Sequence, residues 1–378
     1  MTLRELPVLS PATPHVHGSE AHGVPAPLDP FQASPDFVRI SMASALALRY
    51  RSGKFARDFA FGGINLLLNY EDGCRSDCGY CGLGRSRPGD YDEKSFIRVE
   101  WPIVPTDDLV DRVVRYEEQM TRLCISMVTN KRSYPDTLDI SKRITARTGV
   151  PLSVLVAPPT LNEDRLVALR DAGVDMIGFG LDAATEDVFV RHRKDVPAGG
   201  GLKWDQYWRL IHAARRVYGP WKINCHTLVG IGETDLDLMR IFDDLKREQI
   251  FSYLFCFNPE PDSRMGEWPK SPLVRWRRIQ LAKWLLEEND VALSEFRFDS
   301  DGALVGLGGG VELASAAVES GMPFMTNGCP SAGGTPGCSR PYGSYRPSEP
   351  FRDFPFQPVG VDIEGIWDDL RLDELTAQ

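Results

Sequence analysis

Short apolar runs alternate with amphipathic segments from Gly63 to about residue 326, and this alternation restricts the folds open to the chain. Strands that alternate with helices form parallel sheets joined by crossover helices. The alternation therefore predicts an α/β fold, a (βα)8 TIM-type barrel whose active site lies at the carboxyl ends of its strands. The eight apolar runs predicted as strands are 64–69, 123–129, 152–157, 176–181, 222–229, 252–257, 293–298 and 323–326.

Three polar residues are predicted to begin helices between these strands. Thr106, Asn162 and Thr234 each precede a segment with apolar residues at helical spacing, and each has a side-chain oxygen suited to an N-cap. Residues 275–278, Arg-Trp-Arg-Arg, are expected to form the solvated face of a later helix.

The ends of the chain differ in composition from its middle. Residues 1–35 are rich in Pro, Ala and His without hydrophobic periodicity, which predicts a flexible N-terminal arm. Residues 36–328 are expected to form the barrel domain, and residues 329–378 a C-terminal loop extension. Neither a secretory signal nor a window of about eighteen apolar residues is evident, so a cytoplasmic protein outside the membrane is expected.

Cys74, Cys78 and Cys81 form the pattern C-x3-C-x2-C, which carries the strongest chemical information in the sequence. Three thiolates at this spacing hold three irons of a cubane cluster and leave the fourth iron without a protein ligand. A structural zinc site needs four ligands, and the next cysteine is Cys124. A disulfide needs an oxidising compartment, which nothing in the sequence indicates.

This loop, including Tyr80 before its last cysteine, resembles the cluster-binding loop of radical S-adenosylmethionine (SAM) enzymes. The resemblance implies that Cys74, Cys78 and Cys81 hold a catalytic [4Fe–4S] cluster with SAM at its open iron. It also implies reductive cleavage of SAM to a 5′-deoxyadenosyl radical, with the electron supplied by a ferredoxin or a flavodoxin. Tyr80 then belongs to the cofactor-binding residues.

The run 224–234, Asn-Cys-His-Thr-Leu-Val-Gly-Ile-Gly-Glu-Thr, resembles the strand-five motif of the family, and it closely resembles the corresponding run in biotin synthase. That resemblance, over about residues 60–329, implies that Gly230, Gly232 and Glu233 contact SAM. It likewise implies that Arg209 binds the SAM carboxylate and Asp182 the ribose. The alternatives are that Asp182 only caps the following helix and that Arg209 is a solvated surface residue.

The comparison with biotin synthase also concerns the second cluster that biotin synthase holds in its barrel with three cysteines and an arginine. Cys124 and Arg297 match two of those positions, whereas Leu155 and Asn224 stand near the others. Cys225 is next to Asn224, but one step along a strand reverses the direction of a side chain. A cluster of the biotin-synthase kind cannot be assembled from these residues.

Cys329 and Cys338 offer a different second site in a loop rich in Gly and Pro. We expect them to ligate a second, auxiliary iron–sulfur cluster, with Cys124 or Cys225 as further ligands. The alternative for Cys124, Cys225 and Cys256 is that they are small buried apolar residues, and for Cys256 this alternative is preferred.

Residues 94–101, 340–345 and 351–356 resemble the split-type lipoyl synthases, in which two related radical SAM proteins each add one sulfur to an octanoyl chain on a carrier protein. The resemblance implies a sulfur-inserting transferase whose partners are an octanoylated lipoyl carrier protein and a sister radical SAM enzyme. The net charge of −10 argues against a nucleic-acid partner.

Three other activities remain open from the sequence. A radical SAM enzyme that rearranges a carbon skeleton needs no sacrificial cluster. A methylthiolation enzyme is expected to carry a basic appendage, which this acidic chain lacks. A non-enzymatic iron–sulfur carrier predicts that SAM is not cleaved.

Overall fold

The computed structural model describes residues 31–95, 99–193, 202–326 and 328–376. Residues 1–30 of the predicted arm, and residues 96–98 within the stretch 94–101, lie outside this set. The described residues from 32 to 376 form one compact unit, so the predicted C-terminal extension packs within the same unit as the sheet.

Ten strands and eleven helices occur in the described residues. The strands are β1 Phe37–Ile40, β2 Gly63–Leu68, β3 Ile103–Pro105, β4 Arg122–Ser126, β5 Leu152–Val156, β6 Val174–Asp182, β7 Ile223–Val229, β8 Phe251–Cys256, β9 Arg297–Phe298 and β10 Leu304–Gly306. The helices are α1 Met42–Ala47, α2 Thr106–Arg115, α3 Ser133–Thr145, α4 Glu163–Asp171, α5 Glu186–Arg193, α6 Trp204–Tyr218, α7 Asp235–Arg247, α8 Leu273–Glu288, α9 Val311–Ser320, α10 Val361–Leu370 and α11 Leu372–Thr376.

Eight strands form one mostly parallel sheet, which confirms the predicted α/β fold. Its order is β3-β1-β2-β4-β5-β6-β7-β8, with β2 and β4 to β8 parallel and β1 antiparallel to both β2 and β3. Helices α3, α4, α6 and α7 connect successive parallel strands from β4 to β8. The carboxyl ends of these strands therefore meet on one side, where barrel active sites form.

The two strands predicted last in the chain do not belong to this sheet. Residues 293–295 form a 3-10 turn, and β9 pairs only with β10 in a separate two-stranded sheet. Residues 322–324 form another 3-10 turn. The places of the two strands are taken by β1 and β3, which are too short for sequence periodicity to reveal.

Two of the three predicted helix caps are present. Asn162 accepts a hydrogen bond from the Arg165 amide, and Thr234 forms a reciprocal capping box with Asp237. Thr106 is instead the first residue of α2, and its hydroxyl donates to the Pro35 carbonyl, so it is not an N-cap.

The arginines of residues 275–278 are not a solvated face, contrary to the prediction. The Arg277 side chain is 2% exposed and donates to the carbonyls of Phe351 and Arg352. Arg278 donates to the Leu370 carbonyl. Helix α8 thus uses guanidinium groups to hold the C-terminal residues against the sheet, because these irregular segments present carbonyl groups that need donors.

No helix among the described residues is long and apolar enough to cross a bilayer.

Candidate active site

Cys74, Cys78 and Cys81, here called the first thiol group, lie in the loop that follows β2. The loop begins at Gly73, whose positive φ of 58° favours glycine and whose Cα approaches the Tyr91 ring so closely that a Cβ atom would lie 2.8 Å from it. The Cys81 amide donates to the Cys78 carbonyl at 3.0 Å, and the Gly79 amide to the His192 carbonyl at 2.8 Å. The backbone therefore holds the three cysteines in a defined arrangement.

All three thiols are free and line one cavity of about 200 Å³, here called the first cavity. Burial raises the pKa values of the Cys74 and Cys81 thiols, and the neighbouring Cys78 raises them further. A thiol in this environment ionises when a cation binds it, because the cation replaces the lost hydration. The donor set, three soft sulfur ligands facing a common space, suits an iron–sulfur cluster.

No group of three or more His, Cys, Asp or Glu side chains within the described ranges converges on a single metal-ion position. Cysteines that each bind a different iron of a cubane do not share one ion, so they stand farther apart than the ligands of a zinc ion.

Asp182 and Tyr80 stand together at the wall of the first cavity. Asp182 ends β6 with a φ of 64°, and its carboxylate accepts a hydrogen bond of 2.7 Å from the Tyr80 hydroxyl. Burial raises the pKa of Tyr80 well above its ordinary value, so the hydroxyl keeps the proton that it donates. The structure brings both predicted residues to the thiols.

Arg193 completes this cluster, and sequence reasoning missed it. Its guanidinium lies 3.5 Å from the Asp182 carboxylate, donates to the Leu181 carbonyl at 3.1 Å and packs 5.0 Å from the ring centres of Phe189 and Tyr207. The side chain is 8% exposed. Arg193 is the last residue of α5. Cations are common at helix C-termini, where they interact favourably with the helix dipole, so an arginine at this position does not stand out in the sequence.

Arg209 does not reach the first cavity, contrary to the prediction. Its side chain is 68% exposed and pairs with Asp205 at 2.5 Å, one turn earlier on α6. Tyr207, two residues before it, faces the cavity. Two residues correspond to about 200° around a helix, so Arg209 and Tyr207 lie on opposite faces.

Gly230, Gly232 and Glu233 form a tight turn after β7 that lies outside the described wall of the first cavity. The two glycines have φ values of 104° and 108°. The Glu233 carboxylate accepts hydrogen bonds from the amides of Gly230 and Ile231, at 2.7 and 2.9 Å, and pairs with Arg275 at 2.9 Å. The described contacts of Glu233 stabilise the turn and differ from the predicted contact with SAM.

Cys124, Cys329 and Cys338 form a second collection of thiols, here called the second thiol group. The Cys338 amide donates to the Cys329 carbonyl at 3.1 Å, so the two cysteines close a hairpin. Asn65, which is the register partner of Cys124, donates to the Cys338 sulfur at 3.8 Å. The Ser153 hydroxyl donates to the Leu123 carbonyl at 3.1 Å, and it lowers the pKa values of the Cys124 and Cys329 thiols.

The environment of the second thiol group is more closed than that of the first. Burial, followed by the charges of Cys124 and Cys338, raises the pKa of Cys329 to about 12. The Asn224 amide donates to the Cys329 sulfur at 3.4 Å. The predicted Cys329 and Cys338 pair is therefore adjacent to Cys124.

Cys225 does not join this group, although the sequence left it as a possible ligand. Asn224 faces Cys329, and the next residue along a strand points to the opposite face of the sheet. Cys225 is fully buried among apolar residues. Arg297 is also elsewhere, because it is exposed on β9 of the separate sheet.

His226 and Arg340 line the first cavity and were not predicted. His226 follows Asn224 by two residues and so shares its face of β7. Burial, with the charge of Arg340, lowers the pKa of His226 to about 3, so the imidazole is neutral at physiological pH. The Arg340 guanidinium stacks 4.9 Å from the Phe255 ring centre, and its Nε has no hydrogen-bond partner in the described chain.

Comparison with known proteins agrees with this site. The profile of the Radical SAM superfamily matches residues 68–245, which include the first thiol group and Asp182. Residues 68–245 are therefore a radical SAM domain.

Within this superfamily the chain is similar to biotin synthases. It is 23% identical over 241 residues to the biotin synthase of Rhodopseudomonas palustris (strain BisB18), a match that covers 62% of this chain and 63% of that protein. It is 26% identical over 200 residues to the biotin synthase of Maricaulis maris (strain MCS10), covering 52% of each. The chain thus spans less than two thirds of the length of these curated relatives.

Two solved structures are also similar to this chain. Methylornithine synthase aligns with a TM-score of 0.45 at 10% identity, over 88% of this chain and 86% of that chain. HydG, a maturase of the [FeFe]-hydrogenase, aligns with a TM-score of 0.44 at 13% identity, over 60% of this chain and 50% of that chain.

Proposed function

We propose that this radical SAM protein is a sulfur-inserting transferase, which cleaves SAM reductively and adds sulfur at an unactivated C–H bond. The substrate we propose is an octanoyl chain on a lipoyl carrier protein. The enzyme would modify one carbon of that octanoyl chain. The observation that carries the proposal is the presence of two thiol groups, one at the first cavity and one buried in the same compact unit.

The first thiol group would hold a [4Fe–4S] cluster. With SAM bound, that cluster would supply the electron for the reductive cleavage of SAM, and thereby the radical chemistry needed at an unactivated C–H bond. Asp182 offers a carboxylate that can accept hydrogen bonds from the ribose hydroxyl groups. Tyr80 and Arg193 orient this carboxylate through a hydrogen bond of 2.7 Å and an ion pair of 3.5 Å.

The second thiol group would hold the auxiliary cluster that supplies the sulfur. Three thiols from separate segments, with amide donors from Asn65 and Asn224, suit a cluster because hydrogen bonds to sulfur stabilise its negative charge. Arg122 stabilises the hairpin that carries Cys329 and Cys338. Its side chain is 2% exposed, it pairs with Asp175 at 2.6 Å, and it donates to the Pro330 carbonyl in the hairpin.

The wall of the first cavity supports an acyl substrate. Four apolar residues of this wall can cover a hydrocarbon chain: Met127, Leu155, Leu228 and Phe255. Excluding water from this space protects a carbon radical from side reactions.

The proposed partners follow from this chemistry. A ferredoxin or a flavodoxin would supply the electron, and an octanoylated lipoyl carrier protein would present the substrate. A sister radical SAM enzyme would modify the other carbon. The electron donor follows from the resemblance to radical SAM enzymes, and the carrier protein and the sister enzyme follow from the resemblance to split-type lipoyl synthases.

The experiment is an anaerobic incubation of the reconstituted protein with SAM, a reductant and an octanoyl-lysine peptide. We expect 5′-deoxyadenosine to form and the peptide to gain one sulfur atom, as measured by mass spectrometry. The matched control carries Cys329→Ala and Cys338→Ala, and we expect it to form 5′-deoxyadenosine without adding sulfur.

Two results would contradict the proposal in different ways. If octanoylated peptides never gain mass although SAM is cleaved, the substrate is different. If the control variant remains fully active on its substrate, a rearrangement that needs no second cluster is the better function.

A further inference from the structure

Arg340 carries a buried hydrogen-bond donor for which the described chain supplies no acceptor. Its side chain lines the first cavity and stacks on the Phe255 ring at 4.9 Å. The Nε–H group is buried and has no hydrogen-bond partner among the described residues. A buried N–H donor is costly unless it finds an acceptor, so an acceptor on a ligand of the first cavity would stabilise this side chain.

The carboxylates around the first cavity and near Arg340 are engaged by other side chains. Three of them accept hydrogen bonds within the described chain: Asp182 from Tyr80, Glu260 from Ser95 and Asp353 from Ser344. The charge of Arg340 acts on Asp353, but no hydrogen bond joins these two side chains in the described ranges. The guanidinium is therefore available to a ligand.

Arg340 lies on the side of the first cavity that is next to the second thiol group. It follows Cys338 by two residues, and its charge acts on the Cys124 thiol. Arg193, a second arginine of the cavity wall, interacts instead with Cys78. In the proposed function SAM lies at the first thiol group, and the reacting carbon lies between SAM and the second thiol group. Arg340 is thus placed for the substrate.

The surroundings of Arg340 suit an alkyl chain that ends in an acceptor oxygen. Leu155, Leu228 and Phe255 give the wall an apolar surface. The neighbouring His226 is neutral, because burial, with the charge of Arg340, lowers its pKa to about 3. A guanidinium in apolar surroundings binds a carbonyl or carboxylate oxygen strongly, because water competes less for its N–H groups. An acyl group combines an alkyl chain with such an oxygen.

We propose that Arg340 binds the acyl C1 oxygen of the substrate, and that this contact positions the alkyl chain in the first cavity. The inference rests on the proposed function, which supplies an octanoyl group joined through an amide. The guanidinium donates hydrogen bonds to the C1 oxygen, and no bond to C1 is made or broken. Because C1 is held at one place, the carbon that reacts is set by its distance from C1 along the chain.

The test measures binding and does not depend on turnover. The reconstituted full-length protein, with SAM and without reductant, is dialysed anaerobically to equilibrium against each of three ligands. The first ligand is the octanoyl-lysine peptide. The second is the same peptide with an octyl ether, in which oxygen replaces the lysine Nζ and a methylene replaces the carbonyl. The third is octanoate, which carries the C1 oxygens without a peptide.

Three variants are compared with the parent. Arg340→Met keeps an apolar stem against Phe255 and removes the donors, whereas Arg340→Lys keeps the charge. Arg346→Met is the matched control from the same loop, because Arg346 donates to the Pro259 carbonyl and lies outside the described wall of the first cavity.

We expect Arg340→Met to weaken binding of the octanoyl-lysine peptide about 10- to 100-fold, and Arg340→Lys to weaken it less. The ether peptide should bind the parent and Arg340→Met equally, because it lacks the C1 oxygen. Arg346→Met should match the parent with every ligand.

Equal binding of the octanoyl-lysine peptide by the parent and Arg340→Met would overturn the inference and leave the proposed function intact. An equal loss with the ether peptide would also overturn it. The same holds for a lower iron content or weaker SAM binding in Arg340→Met, because the guanidinium would then serve another group. Arg340→Lys, compared on the amide and the ether, decides the question if Arg340→Met does not fold.

Octanoate separates this inference from the proposed substrate. If the parent binds octanoate and not the octanoyl-lysine peptide, and Arg340→Met loses the octanoate, then Arg340 binds the C1 oxygen and the carrier-bound substrate is wrong. If the parent binds neither ligand, the octanoyl substrate and this inference fail together.

Discussion

The two thiol groups reach their positions in opposite ways. Cys74, Cys78 and Cys81 come from one loop, where local backbone hydrogen bonds arrange them beside a cavity. Cys124, Cys329 and Cys338 come from a strand and a distant hairpin, and only the fold brings them together. The difference teaches that a short motif can arrange one group of thiols by local backbone contacts, whereas the other group depends on contacts between remote segments.

The largest expected effect separates the two groups by product. Cys74→Ala removes one ligand of the first cluster, so we expect formation of 5′-deoxyadenosine to fall to background. Cys329→Ala is its counterpart in the second group and should retain formation of 5′-deoxyadenosine while losing sulfur insertion. Chromatography of the nucleoside and mass spectrometry of the peptide measure the two outcomes. Loss of SAM cleavage in both variants would contradict separate roles.

Replacing individual cysteines of the interior sharpens the assignment of the second group. We expect Cys124→Ala to lower the iron bound per chain after reconstitution, because it removes a thiol beside Cys329 and Cys338. Cys225→Ala is the control, since its thiol points to the other face of β7. Iron and sulfide analysis of the two purified variants decides the matter, and equal iron contents would show that Cys124 is not a ligand.

Arg193 on α5 and Arg209 on α6 provide a matched pair, because only Arg193 contacts Asp182. Arg193→Met leaves Asp182 without its ion pair, and hydrogen bonds to charged groups are worth about 1.5–3 kcal/mol, so SAM binding should weaken about 10- to 100-fold. Arg209→Met should leave SAM binding unchanged, because an exposed pair contributes little. Equilibrium binding of SAM to the reconstituted variants measures both effects. The opposite ranking would restore Arg209 as the carboxylate ligand.

Arg122 tests whether the hairpin of the second group needs its support. Arg122→Met removes the pair with Asp175 and the donor to Pro330, so we expect the free energy of unfolding to fall by about 2 kcal/mol. Faster hydrogen exchange of the Cys338 amide should accompany the loss. Arg216→Met, which breaks an exposed pair with Glu163, is the control for urea denaturation. If Arg122→Met is as stable as Arg216→Met, the hairpin does not depend on Arg122 for its stability.

The smallest expected effect concerns pH and Asp353. Burial raises the pKa of Asp353 to about 6 from the ordinary value of 3.8, so the folded chain binds more protons than the unfolded chain between these values. This contribution to stability is present at low pH and is lost as pH rises through 6. It makes the free energy of unfolding about 1 kcal/mol larger at pH 5 than at pH 7, so the folded protein is more stable at pH 5.

Asp353→Asn removes this contribution. The parent should therefore lose about 1 kcal/mol more unfolding free energy than the variant when the pH rises from 5 to 7. Urea denaturation at pH 5 and pH 7 measures it. A pH-independent difference would mean that Asp353 keeps an ordinary pKa in the folded protein.

Longer strands of the fold are predictable from the sequence, and the shortest strands are not. Six parallel strands and the caps at Asn162 and Thr234 were evident because buried strands and capping residues leave periodic and local patterns. β1 and β3 were not, because strands of four and three residues are too short for a period. The apolar run 293–298 was predicted as a strand, although its first residues form a 3-10 turn.

The sequence by itself determined the chemistry of the first thiol group, because its ligands share one loop and their spacing is preserved in any fold. It also identified Asp182 and the hairpin cysteines as candidates. Only the tertiary structure decided that Arg193 and not Arg209 faces Asp182, that Cys124 and not Cys225 faces Cys329, and that Arg340 lines the first cavity. These outcomes depend on the direction of single side chains on helices and strands, and that direction is set by packing between segments far apart in the chain.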